Sequence, residues 1–515
     1  MKADVVIVGG GLAGLTLARQ LERELPRAGV IVVERTELPV RERTHKVGES
    51  LVEASSHYLR DVLGLADHLE ARHVPKLGLR FFFGDGSPRP LGERLEYGVF
   101  RPPGLRPEDD FTGLLVPSHQ IDRGRLENHL AAELRARRLV RRVASVDLDG
   151  AGAHVVRLEG GDTIESRWVI DASGRRRLLA RRGGLARTLP HGARALWARV
   201  GESLRVEDWT SAPGFVDRMW RPGVRHLATN HLVGPGYWIW LIPLPGGATS
   251  VGVMSEPSLA PIEPRASLDA LLAFLRPREP ELAAALERAP IEDVRFLDGE
   301  AYDATQVFSR DRWALTGEAA LYLDPLYSPG IDFIAIGNTL VARLIEADLA
   351  GRPIAGLARI SELVFQQLAG GYLEQYRGAY RLLGAPLAMA HKVAWDSALY
   401  FGTHALLFRN GALGDPAMLG AVRPALERAR RLHSTSQAAL RAIAARSPGP
   451  AGGWLAHGEV DVLRELYAGL APALGRRALE ATLADNVGRL GAFAEDVLAR
   501  AARGEPHALP IRDAA

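Results

Sequence analysis

The segment ADVVIVGGGLAGL, Ala3 to Leu15, decides the fold of this chain of 515 residues. Its first six residues are an apolar run rich in β-branched side chains, which predicts a buried parallel strand. Apolar residues at helical spacing follow the glycines, and VIVVE, Val30 to Glu34, then predicts a second buried strand. The segment therefore begins a β–α–β unit whose first turn is rich in glycine.

The glycines of this turn have the spacing G-x-G-x-x-G. Glu34 lies 20 residues beyond Gly14, at the end of the second strand, where an acidic side chain binds the adenosine ribose hydroxyls of a dinucleotide. A turn used only for close packing would not account for this acid, so the unit predicts dinucleotide binding. The cofactor contacts predicted here are Gly9, Gly11, Ala13, Gly14, Glu34 and Arg35.

The composition is that of an ordinary folded protein. The chain is 47% hydrophobic and 24% charged, and its length predicts two or three structural units. It has no cysteine, and its net charge of +3 includes no long run of like charges, so nucleic-acid binding is not indicated and we predict no metal site. The first residues lead directly into a strand and no apolar stretch reaches membrane-spanning length. We therefore expect no signal peptide, no transmembrane segment and a cytoplasmic location.

The remainder of the chain does not repeat the β–α–β pattern. From about residue 357 the spacing of Leu, Ala and Arg predicts a helical tail. Within that tail, the aromatic-rich stretch from Ala394 to Phe408 lines a substrate entrance, binds a carrier protein or packs as a buried helix, and packing is the favoured interpretation. The other predicted elements are strands at 79–83 and 112–117, a helix from Ile121 to Arg138, a hairpin from Ala153 to Ser173, several strands within 196–256 and helices within 264–290.

Two later segments favour FAD over NAD as the dinucleotide. Val169 to Gly184 reads as a strand, a turn and a basic helix, and Leu315 to Gly330 leads through two glycine turns into a long helix. No second G-x-G-x-x-G is present, so the sequence predicts one tightly held cofactor and no nicotinamide site. Reduced FAD would then come from a separate flavin reductase.

The second of these segments predicts contacts to the flavin. Gly317 and Glu318 form a Gly-acid pair that could bind a ribityl hydroxyl, and the helix that begins at Gly330 and Ile331 could face the pyrimidine edge of the ring, where its dipole stabilises reduced flavin. We predict an α/β fold: a Rossmann-type FAD-binding domain, an inserted antiparallel β substrate domain and a C-terminal helical subdomain. The predicted boundaries are 1–185 with a return at 291–350, then 186–290, and finally 351–515.

Four motifs within residues 1–350 resemble those of the flavin-dependent halogenases, a family of the FAD monooxygenase superfamily. WIWLIP, Trp238 to Pro243, fits the W-x-W-x-I-P signature of that family. KVGES, Lys46 to Ser50, resembles its Gly-Glu-Ser/Ala segment beside the flavin, and VPKLGLRF, Val74 to Phe81, resembles the segment with its catalytic lysine. DPLYSPG, Asp324 to Gly330, resembles its turn next to the isoalloxazine.

The resemblance implies a specific chemistry for Lys76. In the family, reduced FAD and O2 give a C4a-hydroperoxide, halide attacks its distal oxygen, and a lysine hydrogen-bonds or captures the resulting hypohalous acid and directs it at an electron-rich aromatic carbon. Only an amine can serve in this way, and the basic residues of this chain are nearly all Arg, with Lys only at positions 2, 46, 76 and 392. The alternative is that Lys76 is a surface residue in the turn before strand 79–83.

The resemblance also implies flavin and substrate contacts elsewhere. Gly48, Glu49 and Arg123 are implied flavin contacts. Trp238 and Trp240 share one face of a strand, where their bulk would keep the substrate off the flavin; plain core packing accounts for them equally well.

The DPLYSPG turn departs from the family pattern in two ways. Tyr327 stands where tryptophan halogenases have Glu, which favours a phenolic or pyrrolic substrate, free or tethered to a carrier protein. Pro329, after Ser328, stands where the family has Thr or Ser. In the family the backbone N–H groups of that residue and of the next glycine bind chloride or bromide, and proline has no N–H, so Gly330 alone would remain. Glu318 also replaces the usual Asp of a Gly-Asp pair.

Three functions are consistent with these motifs. The first is a two-component halogenase that uses reduced FAD, O2 and halide. The second is a halide-independent monooxygenase, an aromatic hydroxylase on the same scaffold, which the loss of an N–H at Pro329 would favour. The third is a flavoprotein that serves as a non-catalytic subunit of a biosynthetic complex.

Overall fold

A computed structural model describes residues 1–43, 46–102, 106, 114–150, 152–444, 452–503 and 512. The strands are β1 (Lys2–Val8), β2 (Val30–Glu34), β3 (Val74–Pro75), β4 (Leu79–Phe83), β5 (Leu95–Gly98), β6 (His119–Gln120), β7 (Arg137–Val140), β8 (Val143–Asp147), β9 (His154–Leu158), β10 (Thr163–Asp171), β11 (Ala186–Val200), β12 (Thr229–Gly234), β13 (Tyr237–Leu244), β14 (Ala248–Ser255), β15 (Ile291–Ala304), β16 (Trp313–Leu315), β17 (Leu321–Tyr322) and β18 (Trp454–Ala456). The helices are α1 (Leu12–Glu24), α2 (Glu53–His57), α3 (Ala66–Arg72), α4 (Arg123–Glu133), α5 (Leu178–Arg182), α6 (Leu268–Leu275), α7 (Pro280–Arg288), α8 (Pro329–Leu349), α9 (Ala355–Tyr376), α10 (Pro386–Leu399), α11 (Leu406–Arg409), α12 (Pro416–Ala444), α13 (Asp461–Ala468) and α14 (Arg476–Ala502).

The first sheet is the predicted nucleotide-binding sheet. Its strands lie in the order β7, β2, β1, β10, β9, β8, and β16 pairs with β10. β1 runs parallel to both β2 and β10, and β16 runs parallel to β10, so the segment after Trp313 returns to this sheet as predicted. Helix α1 follows β1 directly and packs against α8. The Rossmann-type α/β fold is confirmed.

The second sheet has nine strands in the order β17, β15, β11, β14, β13, β12, β4, β5, β18. Its centre is antiparallel, because β11 pairs with β14 and β15, and β13 pairs with β12 and β14. Strands from outside 186–290 extend it on both sides: β15 and β17 on one edge, and β4, β5 and β18 on the other. The sheet therefore extends across the predicted domain boundaries at residues 186 and 290. One reason is that the long strand β15 pairs along most of its length with another long strand, β11.

Two predicted elements differ in the structure. The helix predicted from Ile121 to Arg138 ends at Glu133, and the arginine-rich residues after it form β7, which pairs with the open edge of β2. Of the strand predicted at 112–117, residues 112 and 113 lie outside the described residues, and 114–117 form no strand. The hairpin of β9 and β10 is confirmed, with Gly160 and Gly161 at positive φ in its turn.

The tail beyond residue 351 is helical, as predicted, apart from one strand. β18 runs parallel to β5 at the edge of the nine-stranded sheet, so the tail is also part of that sheet. A π-helical turn, Tyr400–Ala405, joins α10 to α11, and such turns are frequent at functional sites. In the part of the chain that the structure describes, no helix is both long enough and apolar enough to cross a membrane.

Candidate active site

The glycine turn after β1 is shaped by close backbone contacts. A Cβ atom at Gly9 would lie 2.2 Å from the Ala172 carbonyl oxygen, and one at Gly14 would lie 1.9 Å from the Gly9 carbonyl oxygen. Gly11 differs, because a Cβ atom there would meet no atom within 4 Å. Gly9 and Gly14 are thus required by packing, whereas Gly11 faces open space that a ligand can occupy.

The N-terminus of α1 presents free backbone donors to that space. Gly11 is the N-cap residue and no side chain caps the helix, so the first-turn N–H groups have no acceptor within it. Glu34 supports the turn: its Oε2 accepts from the Gly10 N–H at 2.7 Å and its Oε1 from the Thr36 N–H at 2.9 Å. Uncapped donors at the positive end of a helix dipole suit a pyrophosphate group. Arg35 is exposed just after β2.

The second glycine motif lies against the first. Gly317 has a φ of 59°, and a Cβ atom there would lie 2.8 Å from the Cβ of Ala13. Asn338 of α8 stabilises the contact between the two glycine motifs, because its side-chain amide donates to the Ala13 carbonyl at 3.1 Å. The carboxylate of Glu318, predicted to bind the ribityl chain, pairs with Arg175 at 3.1 Å in this structure.

The predicted flavin segment around Gly48 is held by buried charges. Arg123 donates to the Val47 carbonyl at 2.7 Å, and Glu49 forms an ion pair with Arg199 at 2.5 Å. Burial raises the pKa of Glu49 to about 7, although the positive charge of Arg199 opposes this increase. Glu49 Oε2 and Arg123 Nε are buried without a hydrogen-bond partner.

These features fit a dinucleotide with a polar ring system. The open space at Gly11 and the uncapped α1 suit the pyrophosphate, and Glu34 suits the ribose. The orphaned polar atoms of Glu49 and Arg123 need partners that the chain itself does not supply, as buried polar groups generally do. FAD would accordingly be held by these residues together with the Gly317 turn.

The DPLYSPG turn is strained immediately before α8. Tyr327 and Ser328 both have positive φ, 70° and 59°, a conformation that non-glycine residues rarely adopt and that is found at ligand sites. The Ser328 N–H is already used, donating to the Pro325 carbonyl at 2.8 Å. Because α8 starts at Pro329, the N–H groups of both Gly330 and Ile331 belong to its first turn and have no acceptor within the helix.

Lys76 is not a surface residue. It is 3% exposed, and its Nζ donates to the carbonyl of Leu51. Burial lowers the pKa of Lys76 to about 8, and the negative charges of Glu53 and Asp332 limit the decrease. The interpretation of Lys76 as a lysine in an exposed turn is therefore wrong, and the amine can lose its proton near neutral pH.

Lys76 and Tyr327 line the same cavity. It encloses about 1370 Å³ of empty space, including solvent at its mouth, and most of its lining is aromatic or aliphatic. Large apolar clefts with a few polar groups are typical of small-molecule sites. The residues of this cavity that carry polar groups include Glu53, Lys76, Tyr327, Gln375, Asp396, Tyr400, His404 and His457.

The helical tail supplies much of the wall of this cavity. Asp396 and Ser397 of α10 and Tyr400, Phe401 and His404 of the π-helical turn all line it. The favoured interpretation of 394–408 as packing therefore holds for one face of this stretch, while another face lines the cavity.

The two tryptophans of β13 are buried in the sheet. Trp238 donates to the hydroxyl of Tyr380 at 3.2 Å and Trp240 donates to that of Ser250 at 3.1 Å. Ser250 also accepts from Arg199, the partner of Glu49, at 2.6 Å. Neither indole is among the described residues that line the Lys76 cavity. Trp240 is thus linked through Ser250 and Arg199 to Glu49 of the flavin segment, and the role of both tryptophans in keeping the substrate off the flavin remains a prediction.

Comparison with known proteins identifies the family. The sequence profile of the tryptophan halogenase family matches residues 4–89 and 103–355. A flavin-dependent halogenase of Dictyostelium discoideum is 28% identical in an alignment of 380 positions that covers 67% of this chain and 60% of that protein. A 1H-pyrrole-2-carbonyl-[peptidyl-carrier protein] chlorinase of Pseudomonas fluorescens is 28% identical in an alignment of 383 positions that covers 67% of this chain and 76% of that protein. This chain thus spans less than two thirds of the length of the Dictyostelium relative.

Solved structures show the same fold. A variant of halogenase PltM in complex with FAD superposes with a TM-score of 0.68, with 16% identity over 93% of this chain and 99% of that one. The flavin-dependent brominase Bmp2 superposes with a TM-score of 0.60, with 22% identity over 84% of this chain and all of that one. The predicted family is confirmed by the profile match, and the relative from Dictyostelium is named as flavin-dependent, in agreement with the predicted cofactor FAD. Because the family profile matches more than half of its sequence, this chain belongs to the tryptophan halogenase family of FAD-dependent enzymes.

Proposed function

We propose that this protein is a halogenase that uses reduced FAD, O2 and chloride or bromide to halogenate an electron-rich aromatic substrate of the phenol or pyrrole type. The observation that supports this proposal most directly is the position of Lys76. Its amine is buried in a mostly apolar cavity together with Tyr327 of the DPLYSPG turn. Such a cavity can hold an aromatic ring beside an amine and exclude most water from both.

Different residues would bind the oxidant and the substrate. Reduced FAD, when bound, would supply the two electrons that activate O2, and the activated oxygen would oxidise halide to hypohalous acid. The free N–H groups of Gly330 and Ile331 would bind the halide at the start of α8. The ammonium of Lys76 would then hold the hypohalous acid by a hydrogen bond and direct its halogen at the ring. Tyr327 and the aromatic wall from the helical tail would orient that ring.

The partners follow from the same proposal. A separate flavin reductase would supply reduced FAD, because the sequence has one dinucleotide motif. The Pseudomonas fluorescens relative is named for a carrier-bound pyrrole substrate, whereas another relative, from Kitasatospora aureofaciens, is named tetracycline 7-halogenase. The substrate of this protein would be a small aromatic of one of these two kinds, carrier-tethered or free, and the enzyme would work in the cytoplasm in secondary metabolism.

Halide dependence tests the proposed function. Purified protein, a flavin reductase, FAD and NADH are incubated with simple phenols and pyrroles, free or loaded on a carrier protein, and the products are analysed by mass spectrometry. We expect halogenated product with chloride or bromide and none in a halide-free buffer. Hydroxylated product that forms equally well without halide would instead identify an aromatic hydroxylase.

Replacing Pro329 by alanine should improve halide use. The change adds one N–H group at the first position of α8, and a hydrogen bond to a charged partner is worth roughly 1.5–3 kcal/mol. We expect the KM for bromide to fall about tenfold, because 1.4 kcal/mol corresponds to a factor of ten. Pro329→Ser is the matched variant: equal effects of Ala and Ser would assign the gain to the backbone N–H. An unchanged KM in both variants would mean that halide does not bind at this turn.

A further inference from the structure

Glu53 places a carboxylate in the Lys76 cavity that interacts with its own backbone N–H and with the charge of Lys76. It is the first residue of α2 and lines the cavity beside Lys76. No side chain among the described residues forms a hydrogen bond with its carboxylate, and none of their basic nitrogens lies within 4.0 Å of it. A half-buried carboxylate with neither a salt bridge nor a hydrogen-bonding side chain is costly to keep, which points to a role beyond folding.

The other two acids near this cavity are fully used by the fold. Asp332 accepts from the Ser55 N–H and from the Tyr400 hydroxyl, both at 2.8 Å. Asp396 forms an ion pair with Lys392 at 2.8 Å and also accepts from the Gln437 amide. Glu53 is therefore the one acid of these three whose carboxylate has no side-chain hydrogen bond or salt bridge among the described residues, so it can still accept from a substrate.

Glu53 and Lys76 also affect each other. The charge of Glu53 is the strongest electrostatic influence that opposes the effect of burial on Lys76, and the charge of Lys76 is the strongest that opposes it on Glu53. Both residues line the same cavity, which places an acid and a base at one candidate binding site. General acid–base catalysis uses such pairs when their pKa values are brought toward neutrality.

Halogenation of an aromatic ring needs a base, because the ring carbon that gains a halogen must lose its proton. Tyrosine at position 327 cannot serve as a carboxylate base, and burial raises its pKa further. We propose that Glu53 is the base that removes the ring proton of the substrate, in a pair with Lys76. This inference rests on the proposed halogenase function.

The bonds and protons balance as follows. The π electrons of the ring form the carbon–halogen bond while the halogen–oxygen bond of hypohalous acid breaks. The oxygen leaves with that electron pair and takes a proton from the Lys76 ammonium, which gives water. The ring proton passes to the Glu53 carboxylate, and the C–H electron pair restores aromaticity. Transfer of that proton from Glu53 to Lys76 returns both groups to their starting states.

Glu53→Gln tests the proposal, because glutamine keeps the shape and removes the base. The assay uses the phenol that wild-type enzyme turns over fastest, in its ordinary and ring-deuterated forms. We expect kcat to fall about 100-fold with little change in KM, as for loss of a general base. We also expect a primary isotope effect in the variant, because proton removal becomes rate-limiting. The absorbance of bound FAD and the thermal midpoint verify that the variant is folded.

Asp332→Asn is the matched control, because Asp332 also raises the pKa of Lys76 but does not line the substrate cavity. We expect Asp332→Asn to shift only the alkaline limb of the plot of activity against pH, and to show no primary isotope effect. Glu53→Gln should in addition lose the decrease in activity at acidic pH that protonation of the Glu53 carboxylate causes. The charged and titratable groups that face Glu53 are Lys76, Asp332, Tyr372, Tyr400, Arg409 and Tyr467.

Two results would overturn the inference while leaving the halogenase function intact. One is a Glu53→Gln enzyme as active as the wild type. The other is a Glu53→Gln enzyme that behaves like Asp332→Asn, with a shifted alkaline side and no isotope effect, since Glu53 would then act only through the charge of Lys76. If the wild type itself forms no halogenated product, the proposed function fails first, so the two failures are distinguishable.

Discussion

Lys76→Ala should abolish halogenation while leaving the protein folded and loaded with FAD. The side chain lines the cavity, and the hydrogen bond of its Nζ within the described residues is to the Leu51 carbonyl, so we expect the variant to fold and the thermal midpoint to verify this. Its loss removes the group that holds the oxidant beside the ring, and loss of one such preorganised donor typically lowers kcat about 100- to 1000-fold. The measurement is product formation at saturating substrate, together with oxidation of reduced FAD, which we expect to continue.

Two lysine variants serve as controls for this experiment. Lys76→Arg keeps the positive charge but lacks an amine that can give up its proton, and we expect this variant to be inactive as well. Lys2→Ala removes a lysine that is exposed and paired with Glu165 on the surface, and we expect full activity. Product formation that survives in Lys76→Ala would assign the chemistry to another group and would contradict the proposed function.

The pH dependence of the wild type should reflect Lys76. Burial lowers its pKa to about 8, and the proposed active form is the ammonium. Activity should therefore be present below pH 8 and decrease as the pH rises through that value, because the donor proton is lost. A rise in activity through the same range would mean that the neutral amine is the active form. Selective ¹³C labelling of lysine would report the pKa of Lys76 directly, since the chain has only four lysines.

Gly14→Ala should disrupt the nucleotide-binding unit, whereas Gly11→Ala should affect only the cofactor. A methyl group at position 14 would lie 1.9 Å from the Gly9 carbonyl oxygen, and forced overpacking of this kind costs about 3 kcal/mol of unfolding free energy or more. At position 11 a methyl group meets no protein atom and φ is −82°, so alanine fits without strain. We expect a lower thermal midpoint for the Gly14 variant in the absence of FAD.

The Gly11 variant should keep its midpoint without FAD but bind FAD at least about tenfold more weakly, since the second glycine of this motif lets the pyrophosphate approach the backbone. Thermal unfolding with and without FAD, and titration of the apoprotein with FAD, give both quantities. Equal midpoints for the two variants, or undiminished FAD binding by Gly11→Ala, would contradict this division between packing and ligand contact.

Local patterns were sufficient to predict the fold of the nucleotide-binding unit. The glycine spacing and Glu34 act within a single β–α–β unit, so its backbone geometry follows from local rules, whereas the cofactor contacts stay predictions. The buried position of Lys76 could be inferred only from the resemblance, because its burial comes from residues far away in the chain. The same holds for the cavity wall. Nothing near Asp396 or Tyr400 in sequence reveals that α10 lies across from β4, since that contact depends on how the tail folds back.

The free carboxylate of Glu53 was missed for a related reason. An acid at the start of a short helix is common, and its usual explanation is a favourable interaction with the helix dipole. Only the three-dimensional arrangement shows that Asp332 and Asp396 already have side-chain partners, whereas no described side chain hydrogen-bonds Glu53. Which of several acids lacks a partner is a property of the assembled cavity, and sequence spacing does not contain it.

The family profile ends at residue 355, yet much of the cavity wall lies beyond that point. The parts that would make and hold the oxidant therefore lie in the portion of the chain that the family profile covers, whereas much of the wall that would contact the ring lies outside that portion. The same arrangement makes α10 and the π-helical turn after it the natural region for library-based redesign of this enzyme.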